Sequence, residues 1–191
     1  MSEKYKNFLN ESLKSLDEQG RISLHSEVLG KLTNIYKVLQ DLINSQHVKQ
    51  EHRQLMAFIN EKLSDIRLLY SYCHDTPVIH RFCVTFFPNL VSIKLNRVPP
   101  STIEGIYNLK HQLNSIEIVN SGITDLSKTF AKPSDDAFLS MLPPLIMSKE
   151  KIIIPDSLVW SKLKVLKMSN CGLSRLDASF HLFPNLTPMN F

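Results

Sequence analysis

The densest group of potential metal ligands in this 191-residue chain is Cys73, His74, His80 and Cys83. Thiolate sulfur and imidazole nitrogen are the usual donors of structural zinc sites. Here the spacing, CHxxxxxHxxC, fits no common zinc frame, and it falls across a predicted helix end and a predicted strand. Thiols in the fold and imidazoles on its surface are the expected role, with no metal held. The remaining histidines, His25, His47, His52, His111 and His181, form no HExxH pair. There is no GxSxG elbow, no GxxxxGK loop and no GxGxxG turn. Five glycines in all leave little capacity for a Gly-rich phosphate cradle. Asp135-Asp136 is a carboxylate pair in a predicted loop, where capping a helix is the expected use. The reading is a non-enzymatic chain without a cofactor.

Composition narrows the class. The chain is 43% hydrophobic, enough for one sizeable domain or two small ones, and its net charge is only +4. The basic excess comes from lysines scattered after Asp75 rather than from a block, so no nucleic-acid role is expected. An odd count of three cysteines and a polar N-terminus without an apolar h-region read as a reduced, cytoplasmic, soluble protein. No apolar run reaches the roughly 18 residues needed to span a bilayer, so no integral membrane segment is expected.

Residues 1–75 read as an α-helical region. Tyr5, Phe8, Leu9, Leu13 and Leu16 recur at helical steps, and Gln19-Gly20 ends the first segment. Val28, Leu32, Ile35, Tyr36, Leu39, Leu42 and Ile43 share a face of the second, with Ser26 as its N-cap. Leu55, Phe58, Ile59, Leu63, Ile66 and Leu69 do so in a third, starting near Gln50. The polar faces lack the Lys/Arg bias of a membrane-surface helix, so packing against one another and the next region is expected.

At Asp75-Thr76-Pro77 the composition changes, and residues 76–191 read as a leucine-rich-repeat region. Val78 to Phe86 is rich in β-branched and aromatic residues and predicts a strand covering the open end of the stack. Leu90, Ile93, Leu95 and Val98 then fit LxxLxLxxV; Leu113, Ile116, Ile118, Ser121, Ile123 and Leu126 fit it again. Leu163, Leu166, Met168, Cys171, Leu173 and Leu176 give the third frame, and Leu186 opens another. The steps Leu90 to Leu113 and Leu163 to Leu186 are each 23 residues, within the leucine-rich-repeat range. The step Leu113 to Leu163 is 50, which reads as an insertion around residues 132–158, with a helix predicted from Asp135 to Leu142. The ninth frame position, where Asn bonds turn backbone in strong repeats, holds Val98, Ser121 and Cys171, so the repeats are degenerate. After Leu186, Pro188 removes a ladder donor, and the region is expected to be C-terminally incomplete. The fold class is thus α/β: N-terminal helices, then a short, degenerate leucine-rich-repeat solenoid with parallel strands on its concave face.

Along such strands buried frame residues alternate with outward ones. The outward set is Ser92, Lys94 and Asn96, then Ser115, Glu117 and Val119, then Val165, Lys167 and Ser169. These are the candidate partner-binding residues, since a rigid sheet presents side chains at fixed spacing.

The order of these segments resembles the N-terminal part of the serine/threonine kinase 11-interacting protein family. The residues that carry the resemblance are the helical leader, FCVTFFPNLVSIKLNRVP, IYNLKHQLNSIEI, the acidic stretch before LPPL, and WSKLKVLKMSNCGLSRLDASFHLFPNL. It is strongest from Phe86 to Phe130 and from Trp160 to Leu186. Nischarin, with similar repeats, is a neighbouring resemblance. The family continues into further repeats and a pleckstrin-homology-like region, which this chain lacks, and Lys149 to Leu158 reads as an insertion relative to it. The resemblance implies a cytoplasmic scaffold or adaptor that binds a serine/threonine protein kinase and influences where the kinase resides. The alternatives are a leucine-rich-repeat protein of RNA-containing particles, which needs a concentrated basic face with stacking aromatics, and a membrane-surface adaptor.

Overall fold

The structure of the chain is a computed structural model, which describes residues 2–45, 48–74, 80–123, 126–135, 138, 141, 154–173 and 178–187. It begins with helix α1 (Ser2–Leu13), strand β1 (Arg21–His25), helices α2 (Ser26–Asn44) and α3 (Gln50–Ser64), and strand β2 (Leu68–Tyr72). Then come β3 (Phe82–Cys83), β4 (Ser92–Asn96), β5 (Ile103–Glu104), β6 (Ser115–Val119), the short helix α4 (Ser127–Phe130) and β7 (Val165–Ser169). Five strands make one parallel sheet in the order β1-β2-β4-β6-β7, and β3 pairs with β5 in a separate two-stranded sheet.

The main sheet is built from one repeated backbone contact. The carbonyl of Gly20 accepts from the amides of Arg67 (2.8 Å) and Leu68 (2.9 Å), and that of Arg67 accepts from Val91 and Ser92. Val91 receives Asn114 and Ser115 in the same way, and Asn114 receives Lys164 and Val165. The series continues at Lys164, whose carbonyl accepts from both the amide and the hydroxyl of Thr187, each at 2.8 Å. Proline has no amide hydrogen, so at Pro188 the Thr187 hydroxyl supplies the second donor of the rung. Two asparagines repeat a further contact: Asn89 Nδ2 donates to Ser64 O at 2.8 Å and Asn185 Nδ2 to Ser161 O at 2.7 Å.

These rungs fix the register, and the register sorts the side chains into two faces. Ile22, Leu69, Ile93, Ile116 and Leu166 form one inward row; Leu24, Ser71, Leu95, Ile118 and Met168 form the next. All but Met168 are buried. On the β7 side, Trp160 donates its indole N–H to Phe130 O at 3.0 Å and meets the Phe130 ring edge-on. Thr33 ties α2 to β3, accepting from the Cys83 amide and donating to Leu29 O, each at 2.9 Å. Lys37 and Glu104 close the same edge at 2.5 Å.

Several expectations need revision. Residues 1–75 are not helical throughout, because β1 and β2 lie among them. Ile66 and Leu69 belong to the entry and interior of β2 rather than to a helix stripe: α3 ends at Ser64. Ile66-x-x-Leu69-x-Ser71 is a further LxxLxL-like frame whose spacing a helix face also satisfies. The N-cap of α2 is His25, not Ser26; its Nδ1 accepts from the Glu27 amide at 3.2 Å. Among the described residues of the strand expected over Val78 to Phe86, only Phe82 and Cys83 are extended in a ladder, and they pair with Ile103 and Glu104 in the separate two-stranded sheet. Residues 75–79 fall outside the described residues, as does most of the helix expected from Asp135 to Leu142. The main-sheet neighbour of β4 is instead β2, with β1 beyond it.

Two predictions follow from the local chemistry. Ser71 is fully buried in the inward row, and its hydroxyl has no partner among the described residues. An unpaired buried hydroxyl costs about 1–3 kcal/mol, so Ser71→Ala is expected to raise unfolding stability in urea by about 1 kcal/mol. Asp17 organises the turn into β1, accepting from the Gln19 and Arg21 amides at 2.9 Å and from Arg21 Nε at 2.7 Å. The Arg21 amide, then its guanidinium, holds the Asp17 carboxyl below its ordinary 3.8. A depressed carboxyl stabilises the fold above the unfolded value, and the effect is lost as pH falls through the folded one. Acid unfolding of wild type should therefore show a loss below about pH 4 that Asp17→Asn lacks.

Candidate protein-binding face

The side of the sheet opposite the inward rows carries three ordered rows. Arg21, Leu68, Ser92, Ser115 and Val165 form the first. Ser23, Tyr70, Lys94, Glu117 and Lys167 form the second; His25, Tyr72, Asn96, Val119 and Ser169 form the third. All nine residues singled out in the sequence lie on this one face, in register. Most are half-buried, and Lys167 and Ser169 are exposed.

The six positions contributed by β1 and β2 escaped the sequence reading, because both strands sit in a stretch with helical periodicity. The available signal was the frame Ile66-x-x-Leu69-x-Ser71, obscured because its last position is Ser. These positions change the character of the face. Tyr70 and Tyr72 lie 5.7 Å apart between ring centroids, Tyr72 meets His25 edge-on at 5.5 Å, and His74 lies 5.0 Å from Tyr72. Beside them, Ser15, Arg21, Ser23, Leu68, Tyr70 and Lys94 help line a groove of about 430 Å³.

Charge on the middle row is largely committed within the fold. Lys94 Nζ donates to Glu117 Oε1 at 2.8 Å and sits 5.7 Å from the Tyr70 ring centroid. That hydrogen bond with Glu117, helped by the opposite charge, raises the Lys94 ammonium above its ordinary 10.5. At the C-terminal rim the side chains form a chain of amides. Asn96 Nδ2 donates to Tyr70 Oη at 3.1 Å, Asn120 Nδ2 to Asn96 Oδ1 at 3.2 Å, and Asn170 Nδ2 to Asn120 Oδ1 at 2.7 Å. Asn120 and Asn170 hold left-handed backbone, φ 54° and 55°, a conformation that Asn tolerates better than most residues. So an asparagine ladder exists ahead of the ninth frame residue, with Asn120 and Asn170 one position before it and Asn96 two. At the ninth position itself Val98 is buried without a polar group. Ser121 Oγ donates to Val119 O at 2.7 Å, and Cys171 Sγ lies 3.2 Å from Ile118 O and Ser169 O.

The cysteine–histidine cluster does not assemble. Cys73 and His74 follow β2, His80 lies beside Gly30 of α2, and Cys83 sits on β3 with its sulfur 3.0 Å from Thr85 Oγ1. Among the described residues no three His, Cys, Asp or Glu side chains are placed to hold a metal ion. Asp135 accepts from the Lys132 amide at 3.2 Å, a local turn contact; Asp136 lies outside the described residues. No described helix is long and apolar enough to cross a membrane.

The Lys94–Glu117 pair is open to solvent, with side chains 43% and 34% exposed, so its coupling is modest. A double-mutant cycle of Lys94→Met and Glu117→Gln should give about 0.2–1 kcal/mol, shrinking at high salt. A raised lysine contributes fully below its unfolded value and loses the effect as pH passes the folded one. The coupling should therefore hold at neutral pH and fade as pH rises past about 10.5.

No protein-family model matches this chain, and no curated protein matches it.

Proposed function

We propose that this chain is a non-enzymatic leucine-rich-repeat adaptor whose strand face docks a serine/threonine protein kinase in the cytoplasm and influences where that kinase resides. One observation carries the docking part of this reading: fifteen outward side chains stand in three registered rows on five parallel strands. Such a face offers a preorganised surface with little ordering cost on binding. The solenoid part is supported by LxxLxL-like frames that enter β2, β4, β6 and β7 through the same carbonyl fork. The kinase as partner rests on the family resemblance of Phe86 to Phe130 and Trp160 to Leu186.

The test is capture of a purified serine/threonine kinase of the kind that family binds, by the immobilised chain. Simultaneous reversal of Lys94, Glu117 and Lys167 (K94E, E117K, K167E) is expected to weaken capture about tenfold or more, as like charges then face the partner. Undiminished capture by the folded triple variant would remove the strand face as the docking surface.

A further inference from the structure

The charges on the strand face do not balance once its internal pairs are counted. Among its fifteen positions Glu117 is the one acidic residue, and Lys94 holds it at 2.8 Å. Arg21 is likewise committed to Asp17 at 2.7 Å. Lys167 stands across from Glu117 on β7, exposed and with no ion pair among the described residues. Lys162 and Lys164, in the approach to β7, are exposed and equally without ion pairs among the described residues. Three exposed lysines without ion pairs among the described residues therefore follow one another along the entry and body of β7, and Lys167 is the one that stands on the face itself. The other end of the face, on β1 and β2, is the ring cluster of His25, Tyr70, Tyr72 and His74.

We propose that this face takes an acidic segment of a protein partner, with carboxylates on Lys162, Lys164 and Lys167 and an apolar side chain on the Tyr72–His74 patch. The assignment rests on reading the face as a protein-docking surface. Tyrosine and histidine rings supply a rigid amphipathic anchor of the kind that dominates binding energy, and the lysines supply steering and register. From Tyr72, Lys167 lies three strand spacings across and two residues back in register, about 16 Å, and Lys164 three residues further back, about 22 Å, which an extended chain covers in about five to seven residues. The segment thus pairs an apolar residue with acidic ones about five or more positions away. Stacked bases fit less well on Tyr70, whose ring Lys94 covers at 5.7 Å from the centroid.

The probe is a random Glu/Tyr copolymer, titrated against the full chain by fluorescence anisotropy beside polyglutamate, polyuridylate and phosphatidylserine vesicles. The copolymer is expected to bind about tenfold more tightly than polyglutamate, which lacks the anchor. The triple variant K162E/K164E/K167E and the separate variant Tyr72→Ala should each weaken it about tenfold while circular dichroism stays unchanged. Unchanged copolymer affinity in both folded variants overturns the proposal, and so does equal or tighter binding of polyuridylate or of the vesicles. The kinase reading separates cleanly. Kinase capture that survives both variants sinks the acidic-segment proposal and leaves the adaptor standing. Copolymer binding that both variants weaken, with no kinase captured by wild type, sinks the kinase and supports the acidic segment.

Discussion

The sheet depends on a carbonyl that accepts two donors. Gly20, Arg67, Val91, Asn114 and Lys164 each present one oxygen to the start of the next rung. Because two donors converge on a fixed acceptor, the entering strand has one position along its neighbour, and a slip by one residue would turn every inward side chain outward. Connections of very different length, from Gly20 to Arg67 through two helices and from Arg67 to Val91 with none among the described residues, close onto the same fork. Loop-closure entropy grows slowly with length, so the long step between Asn114 and Lys164 costs little more than the short ones.

Once the register is fixed, the two faces have separate tasks. The inward rows exclude water with Ile and Leu, and the buried Ser71 is the place where that chemistry is imperfect. The outward rows satisfy their own polar groups across the strands, through Lys94 with Glu117 and through the amides of Asn96, Asn120 and Asn170. A face whose side chains are already bonded to one another loses little freedom when something docks on it. Two groups then stand out: lysines at the β7 end, without ion pairs among the described residues, and clustered rings at the β2 end.

The N-terminal helices take part in the sheet's edge rather than forming a separate body. His25 ends β1 and caps α2, so the strand and the helix share one residue. Thr33 and Lys37 on α2 reach the small sheet of β3 and β5. The other flank is closed by Trp160 against Phe130 and Phe183, where an indole N–H finds a backbone oxygen and the rings pack edge-on.

The frames Leu90-x-x-Ile93-x-Leu95, Leu113-x-x-Ile116-x-Ile118 and Leu163-x-x-Leu166-x-Met168 determined three of the sheet's strands and their outward residues by spacing alone, since strand alternation is a local property of the chain. What tertiary structure alone decided was the membership of β1 and β2 and the partners they brought. Ile66 and Leu69 are three apart, a spacing that suits a helix face as well as a strand frame, and only pairing with Ser92 to Asn96 resolves it in favour of a strand. Tyr70 and Tyr72 joined the face for that reason, and the asparagine ladder formed because left-handed turns at Asn120 and Asn170 bring side chains 24 and 50 residues apart into contact. Periodicity reports which way a side chain points; only the hydrogen-bonded register says what it points at.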